Sequence, residues 1–375
     1  MQNKQSKPIT YHFLSITDPR TEHNKAHKLI DIIMVAVCGV IAGCDSWAEI
    51  EDFGHDREVW LKTFLALPNG IPSHDTFGRV FSLLDPKQFQ ASFAAWMQSA
   101  VAVTKGSVIA IDGKTNRRTF GKLTKALHLV SAFATANGVA VGQVATDVKS
   151  NEITAIPELL KLLDIKGCLI TTDAMGCQSD IAADVVTRGG DYLLAVKGNQ
   201  GLLYRDIKAC FADETLELDI NTSENKGHGR VEKRVCQVLG GAAVIDRLRH
   251  KNNWPSLNTI VKVTAERTSR KTGVVAEQTR YYICSLKQPG AERMQAAVRA
   301  HWGIENNLHW VLDMAMREDE SRIRTDHAPA NMAVLRHIAL NLIRSDKTRK
   351  VGVKASRLKA GRNTSYMEQL LDLAV

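Results

Sequence analysis

Apolar residues fall into two regimes along the chain. Up to about residue 105 they recur at helical spacing. Leu29 to Val40 is one strongly apolar segment, and Trp47, Ile50, Phe53, Trp60, Leu61 and Phe64 predict one or two further helices. Ile71-Pro72-Ser73-His74-Asp75 has the form of a helix start, with Ser73 as N-cap and Asp75 in the first turn. Phe77, Val80, Phe81 and Leu84 come next at i, i+3, i+4, i+7, and Phe89, Phe93, Trp96 and Met97 make a second stripe. All of these large residues read as core.

Beyond residue 105 the period shortens. Ser107 to Ile111 is a β-type run that stops at Asp112-Gly113-Lys114. Leu127 to Ala134 and Val139 to Thr146 are two more strands, joined through Asn137-Gly138, a strong hairpin signal. Ile156, Leu159, Leu160 and Leu163 mark a helix, which tolerates Pro157 only in its first turn. Cys168 to Thr172 is a strand ending at Asp173, Ile181 to Val186 a helix, and Tyr192 to Val196 a strand ending at Lys197-Gly198-Asn199. The fold class is therefore α/β, a mixed sheet with an antiparallel start. From about 200 to 290 the alternation stops, and strands at Thr259 to Thr268 and Tyr281 to Leu286 predict a β-rich insertion. A long helix from about Ala291 to Met316 comes after it, with Ile304, Leu308, Val311 and Ala315 as its buried stripe, then another from about Pro329 to Ile343.

Composition narrows the class. The 375 residues are 44% hydrophobic and 24% charged, which excludes collagen-like and disordered chains and suggests two or three domains. The longest apolar run, Ile32 to Cys44, is thirteen residues, too short to span a bilayer. It also starts too far from Met1 for a signal peptide. No membrane association is expected. Seven cysteines, an odd number without a Cys-x-x-Cys pair, predict reduced thiols of a cytosolic protein and neither a zinc site nor a disulfide framework. The formal charge of +9 is uneven: Arg344 to Arg362 alone carries a local balance of +7. That segment reads either as a solvated tail or as a phosphate contact.

Asp112 and Asp173 both stand at C-terminal ends of predicted strands of one sheet, where α/β folds place their sites. Glu305, beside the buried position Ile304, could add a third carboxylate from a helix crossing that edge. Hard divalent cations take such oxygen ligands. Strand-end aspartates are also common caps and turn formers, so spacing alone leaves both readings open.

The local sequences carry more. Ile111-Asp112-Gly113-Lys114, Thr172-Asp173-Ala174 and His301-Trp302-Gly303-Ile304-Glu305-Asn306-Asn307-Leu308-His309-Trp310-Val311-Leu312-Asp313 resemble the three blocks of the DDE transposases of bacterial insertion sequences. The nearest likeness is to the H-repeat-associated transposases found with Rhs elements. Gly70 to Phe81 is similar to the helical domain that precedes the catalytic domain there, and Lys149-Ser150-Asn151-Glu152 and His228-Gly229-Arg230 also match. The resemblance implies a ribonuclease H-like catalytic domain with a β-rich insertion, preceded by an all-helical N-terminal domain. The expected boundaries are 1–105 for the helical domain, 106–343 for the catalytic domain with its insertion at about 200–290, and 344–375 for the basic tail.

The same resemblance assigns the metal-binding triad to Asp112, Asp173 and Glu305, with Mg²⁺ (or Mn²⁺), two ions, as cofactor. It implies double-stranded DNA as partner, meaning element ends and target, and a homodimer in the synaptic complex. The protein would be cytoplasmic and nucleoid-associated when on DNA. Its reaction would cut the element end to leave a 3′-OH, which then attacks target DNA. Asp313, Glu318 and Asp319 are rival third acids.

Lys114, Lys197, Asn199, Arg230, Arg234 and His301 are candidate phosphate contacts, with polar turns and solvated loop charge as the alternatives. The broader family often carries Tyr, Arg and Lys around the glutamate where this chain has Val298, His301 and Leu312. His301 would stand in for the Arg, and Arg299, Arg317, Arg322 and Arg324 are other sources of charge. Trp254 would stack on a base or anchor the core. Two other functions stand beside transposition: a nuclease of the same fold that cuts without joining, and an inactive or domesticated DNA-binding relic.

Overall fold

The computed structural model describes residues 7–101, 103–119, 126–146, 152–227, 229–348 and 350–372. Lys149-Ser150-Asn151, His228 and Arg349 lie outside the described residues. From Ile9 to Ala100 the described elements are helices: Ile9–Phe13, Leu29–Ala42, Trp47–Asp56, Glu58–Leu61, His74–Leu83 and Pro86–Ala100, with one short 3₁₀ turn. Their starts are written locally. Ser46 and Glu49 form a reciprocal capping box, the Ser73 hydroxyl accepts from the Thr76 amide, and Asp85 caps a helix with Pro86 in its first turn. Ile32 to Ile41 is wholly buried, as its unbroken apolar run requires. No single described helix is long and apolar enough to cross a membrane.

Among the described residues nine strands come next: β1 Val108–Thr115, β2 His128–Ala134, β3 Val139–Ala145, β4 Leu169–Thr172, β5 Asp191–Val196, β6 Asp219–Gly227, β7 Arg230–Gly240, β8 Thr259–Ser269 and β9 Val275–Cys284. They form one mixed sheet in the order β3-β2-β1-β4-β5-β9-β8-β7-β6. β1, β2 and β3 are an antiparallel meander, and β4 and β5 run parallel to β1. The expected β-rich insertion is present as β6 to β9 with the helix Gly201–Ala212 before it, but it is no separate sheet. β9 pairs antiparallel with β5, from Leu193 with Cys284 to Val196 with Tyr281, so the insertion extends the central sheet.

Three other expectations change. β1 continues through Asp112 to Thr115 because β2 keeps pairing with it; only its parallel partner β4 ends at Thr172. Pro157 sits inside the helix Glu152–Lys161, not in its first turn, and the helix persists because Ile156, Leu159 and Leu160 are buried. The segment after residue 344 is no free tail. Its helices Val353–Arg362 and Thr364–Asp372 pack against Leu29–Ala42. Arg357 is buried, donating to the carbonyls of Val40 and Ala315 and to Asp45. Lys347, Lys350, Lys354, Lys359 and Arg362 remain exposed.

The helix Ala328–Ser345 ties the layers together. Asn331 donates to the carbonyls of Phe81 and Leu84, capping the end of a preceding helix. Asn341 both accepts from the Ala140 amide and donates to its carbonyl, so it covers the open edge of β3. One apolar core runs from Ile9 through the sheet to Leu370. Trp254 is buried in it, so its role is that of an anchor.

Candidate active site

The parallel register of β1 and β4, ending at Ile111 opposite Thr172, brings the next residues, Asp112 and Asp173, abreast. Asp173 is partly a turn former: its Oδ1 accepts from the amides of Met175 and Gly176 at 2.8 and 3.3 Å. Asn199, after β5, donates to the Ala174 carbonyl at 2.6 Å, so it ties two strand-end loops together. Lys197 beside it is exposed.

Glu305 comes from the crossing helix, which is not continuous. It runs as Ala291–His301, a single π-helical turn Glu305–His309, and Trp310–Met316. The Trp310 amide bonds back to the Glu305 carbonyl, one residue further than in an α-helix. The wider turn rotates the Trp310–Met316 segment, so the buried stripe is Ile304, Leu308, Leu312 and Met316 in place of the expected Val311 and Ala315. Glu305 lies exposed at the rim.

Asp112 is held up to about 7, first by burial and then by the charges of Asp173, Glu152 and Glu305. Four carboxylates therefore share one electrostatic neighbourhood. Glu152, absent from the predicted triad, reaches it by pairing with His128 at 3.0 Å across Gly113. A side chain at Gly113 would collide with both of these partners. Among the described residues, no three His, Cys, Asp or Glu side chains form a ready-made metal cage.

Lys114 does not reach out for phosphate. It is on the same face of β1 as Asp112, and its ammonium donates to Asp313 and, at 2.7 Å, to the buried Glu318. Burial works against its charge, but Glu318 and Asp313 outweigh that and hold it above its ordinary value. Two rival acids, Asp313 and Glu318, are thereby engaged. The third, Asp319, lies 3.6 Å from Arg117. His301 bonds Thr171 at 3.0 Å and is pushed down to about 4 by burial and by Arg280. It is a neutral group and no substitute for an arginine. Val298 and Leu312 are buried.

Positive charge comes instead from the extended sheet. Arg230 and Arg234 of β7, Arg267 of β8, Arg280 of β9 and Arg299 line a cleft of about 460 Å³ that also contains Glu305 and Trp302. Arg280 lies over the Trp302 ring at 4.1 Å. Glu232 pairs with Arg234 at 2.6 Å and Arg267 at 2.9 Å. Arg267 and Arg280 were illegible as partners of this site because their strand pairing is non-local. Arg317 instead pairs with Glu320, and Arg324 donates to the Arg118 carbonyl. All seven cysteines are free thiols.

An α/β chain with carboxylates converging at a sheet edge, beside an arginine-lined cleft, has the makings of a nucleic-acid-processing enzyme. Comparison with known families makes that specific. Residues 104–342 match the family described as "Transposase DDE domain" and residues 10–97 the one described as "DDE_Tnp_1-associated". The chain belongs to the DDE transposases: it is a DNA-cleaving and strand-transferring enzyme of a family that uses divalent metal. It is 45% identical over 362 residues to "Putative transposase YncI" of Escherichia coli O157:H7, covering 95% of this chain and 92% of that one. It is 40% identical to "H repeat-associated putative transposase YhhI" of E. coli K12, covering 97% and 98%. A chain in a cryo-EM structure of a piggyBac transposase synaptic complex with hairpin DNA aligns at TM-score 0.39 with 11% identity, over 97% of this chain and 76% of that one.

Proposed function

We propose that Asp112, Asp173 and Glu305 hold Mg²⁺, two ions, and that this site cuts an element end and joins its 3′-OH to target DNA. The observation that carries the reading is the β1–β4 register, which sets two aspartates abreast with Glu305 close enough to raise Asp112. The donor set fits a hard cation, since all three groups are carboxylates and mutual repulsion is what a cation relieves. When bound, the ions would stabilise the attacking and leaving oxygens of an in-line displacement. The open, partly exposed arrangement leaves room for DNA phosphates as further ligands.

The order β3-β2-β1-β4-β5, antiparallel then parallel, supports a ribonuclease H-like catalytic unit reaching about residue 343, with helices before it and β6 to β9 inserted. Arg230, Arg234 and the other cleft arginines would bind the backbone of double-stranded DNA beside Glu305, with Lys197 at the same sheet edge. Lys114 and Asn199 would act by position, not by phosphate contact. Pairing two element ends would take a homodimer, acting on DNA in the cytoplasm. Separate Asp112→Asn, Asp173→Asn and Glu305→Gln variants should bind end DNA but neither cut nor join it in Mg²⁺. Cleavage at the parental rate by any of them would remove that residue from the triad. Supercoiled plasmid nicked without joined product would leave a nuclease.

A further inference from the structure

Three residues recur at four-residue intervals along the crossing helix: Glu305, exposed at its rim, then His309 and Asp313. The last two meet two residues on one face of β1, Asp112 and Lys114. Lys114 takes Asp313 and Glu318, which fixes the helix against the strand. His309 then falls one turn earlier, with Nδ1 3.5 Å from Asp112 Oδ2. Both side chains are mostly enclosed, His309 12% and Asp112 18% exposed. The groups facing His309 from neighbouring elements are Lys114, Glu318, His337 and His128. Its Nε2 is buried and has no hydrogen-bond partner among the described residues.

Of the two ring nitrogens, Nδ1 is the one that faces the Asp112 carboxyl. A bare Nδ1 lone pair there would set two acceptors against each other in a poorly hydrated site. With the hydrogen on Nδ1, the ring donates toward Asp112. The tautomer is thus assigned by the partner. An N–H fixed on one carboxylate oxygen leaves the other oriented, which is how outer partners tune metal ligands elsewhere.

We propose that His309 is a positioning residue of this site: its Nδ1–H holds Asp112 Oδ2, so that Oδ1 is presented to the cation. The inference rests on Asp112 being a metal ligand.

Two amide substitutions separate positioning from packing. His309→Asn puts an N–H where Nδ1 was, and His309→Gln puts one near Nε2. Binding of Mn²⁺ alone to the full chain, monitored by the electron paramagnetic resonance of free Mn²⁺, reads the effect without turnover. His309→Gln should weaken Mn²⁺ binding about 10–100-fold, the range for lost outer partners, and His309→Asn should stay within about 3-fold of the parent. Parental affinity in His309→Gln, or equal losses in both, would overturn the inference. Asp112→Asn is the control for the reading beneath it. If Asp112→Asn binds Mn²⁺ like the parent, or the parent shows no saturable binding, the triad itself fails. If Asp112→Asn loses binding while His309→Gln does not, only the role of His309 fails. Thermal unfolding of each variant confirms that it is folded.

Discussion

Replacing Lys114 by Met tests how the crossing helix is held. The ammonium is 12% exposed and lies between Asp313, 29% exposed, and Glu318, 1% exposed. Asp313 has water to fall back on, and half-exposed pairs contribute about 0–1 kcal/mol. Glu318 does not. Its Oε1 already lacks a hydrogen-bond partner, and losing Lys114 leaves a buried carboxylate with only Arg336 and His337 behind it. Breaking a buried pair in this way costs about 3–5 kcal/mol, a large part of an ordinary domain's stability. Lys114→Met should therefore lower the unfolding free energy by that order, seen as a lower denaturant midpoint. A second change, Glu318→Leu, should restore most of it by removing the stranded charge.

A phosphate contact makes the opposite forecast. Losing one would leave stability alone and reduce the salt slope of DNA binding by about 0.9. Urea titration and DNA binding across salt concentrations measure both quantities on the same variant. A Lys114→Met protein as stable as its parent, with a slope lowered by about 0.9, would refute the network and return Lys114 to the DNA surface.

Arg280→Ala and Arg267→Ala should each reduce that salt slope by about 0.9 if the cleft carries backbone phosphate; a parental slope would take that arginine off the DNA path. His301 has a pKa of about 4 in the folded chain, against 6.5 for the free side chain. Below pH 6.5 the unfolded chain gains a proton that the folded one refuses, so stability falls on acidification through the window down to about 4. At pH 5 this term is about 2 kcal/mol, and a His301→Asn variant should show a correspondingly flatter loss of stability between pH 7 and 5 in urea titrations. At Gly361 an added Cβ would stand 2.7 Å from the Ala42 carbonyl oxygen. Gly361→Ala should then cost about 1–3 kcal/mol; an unchanged midpoint would mean that the C-terminal helices are not docked as described.

What the sequence revealed was local. Ser73 announces its helix because a cap needs only the next three residues, and Gly138 marks its hairpin because φ of +72° suits glycine. Asp173 is legible because β4 ends where its β pattern ends, and Asp112 because the apolar run stops there, although β1 itself continues to Thr115. The pairing of β5 with β9 is not, since Val196 and Tyr281 meet only after the whole insertion has folded. Lys114 shows the same limit. A charge is visible in the sequence, but its partners lie 199 and 204 positions away, so an internal tether looks like a phosphate contact.

The crossing helix failed for a different reason. A period of 3.6 residues assumes that every turn is alike, and the turn holding Glu305 is not. Had the helix stayed regular, Val311 and Ala315 would face the core as their apolar character suggests. The π-turn gives those places to Leu312 and Met316 and leaves Trp310 and Met314 exposed, 61% and 59%. The same stretch of helix supplies the polar partners of β1: His309 for Asp112, Asp313 for Lys114. An irregularity that keeps the core filled with Leu312 and Met316 while His309 and Asp313 reach the candidate catalytic strand is best explained by what those contacts do.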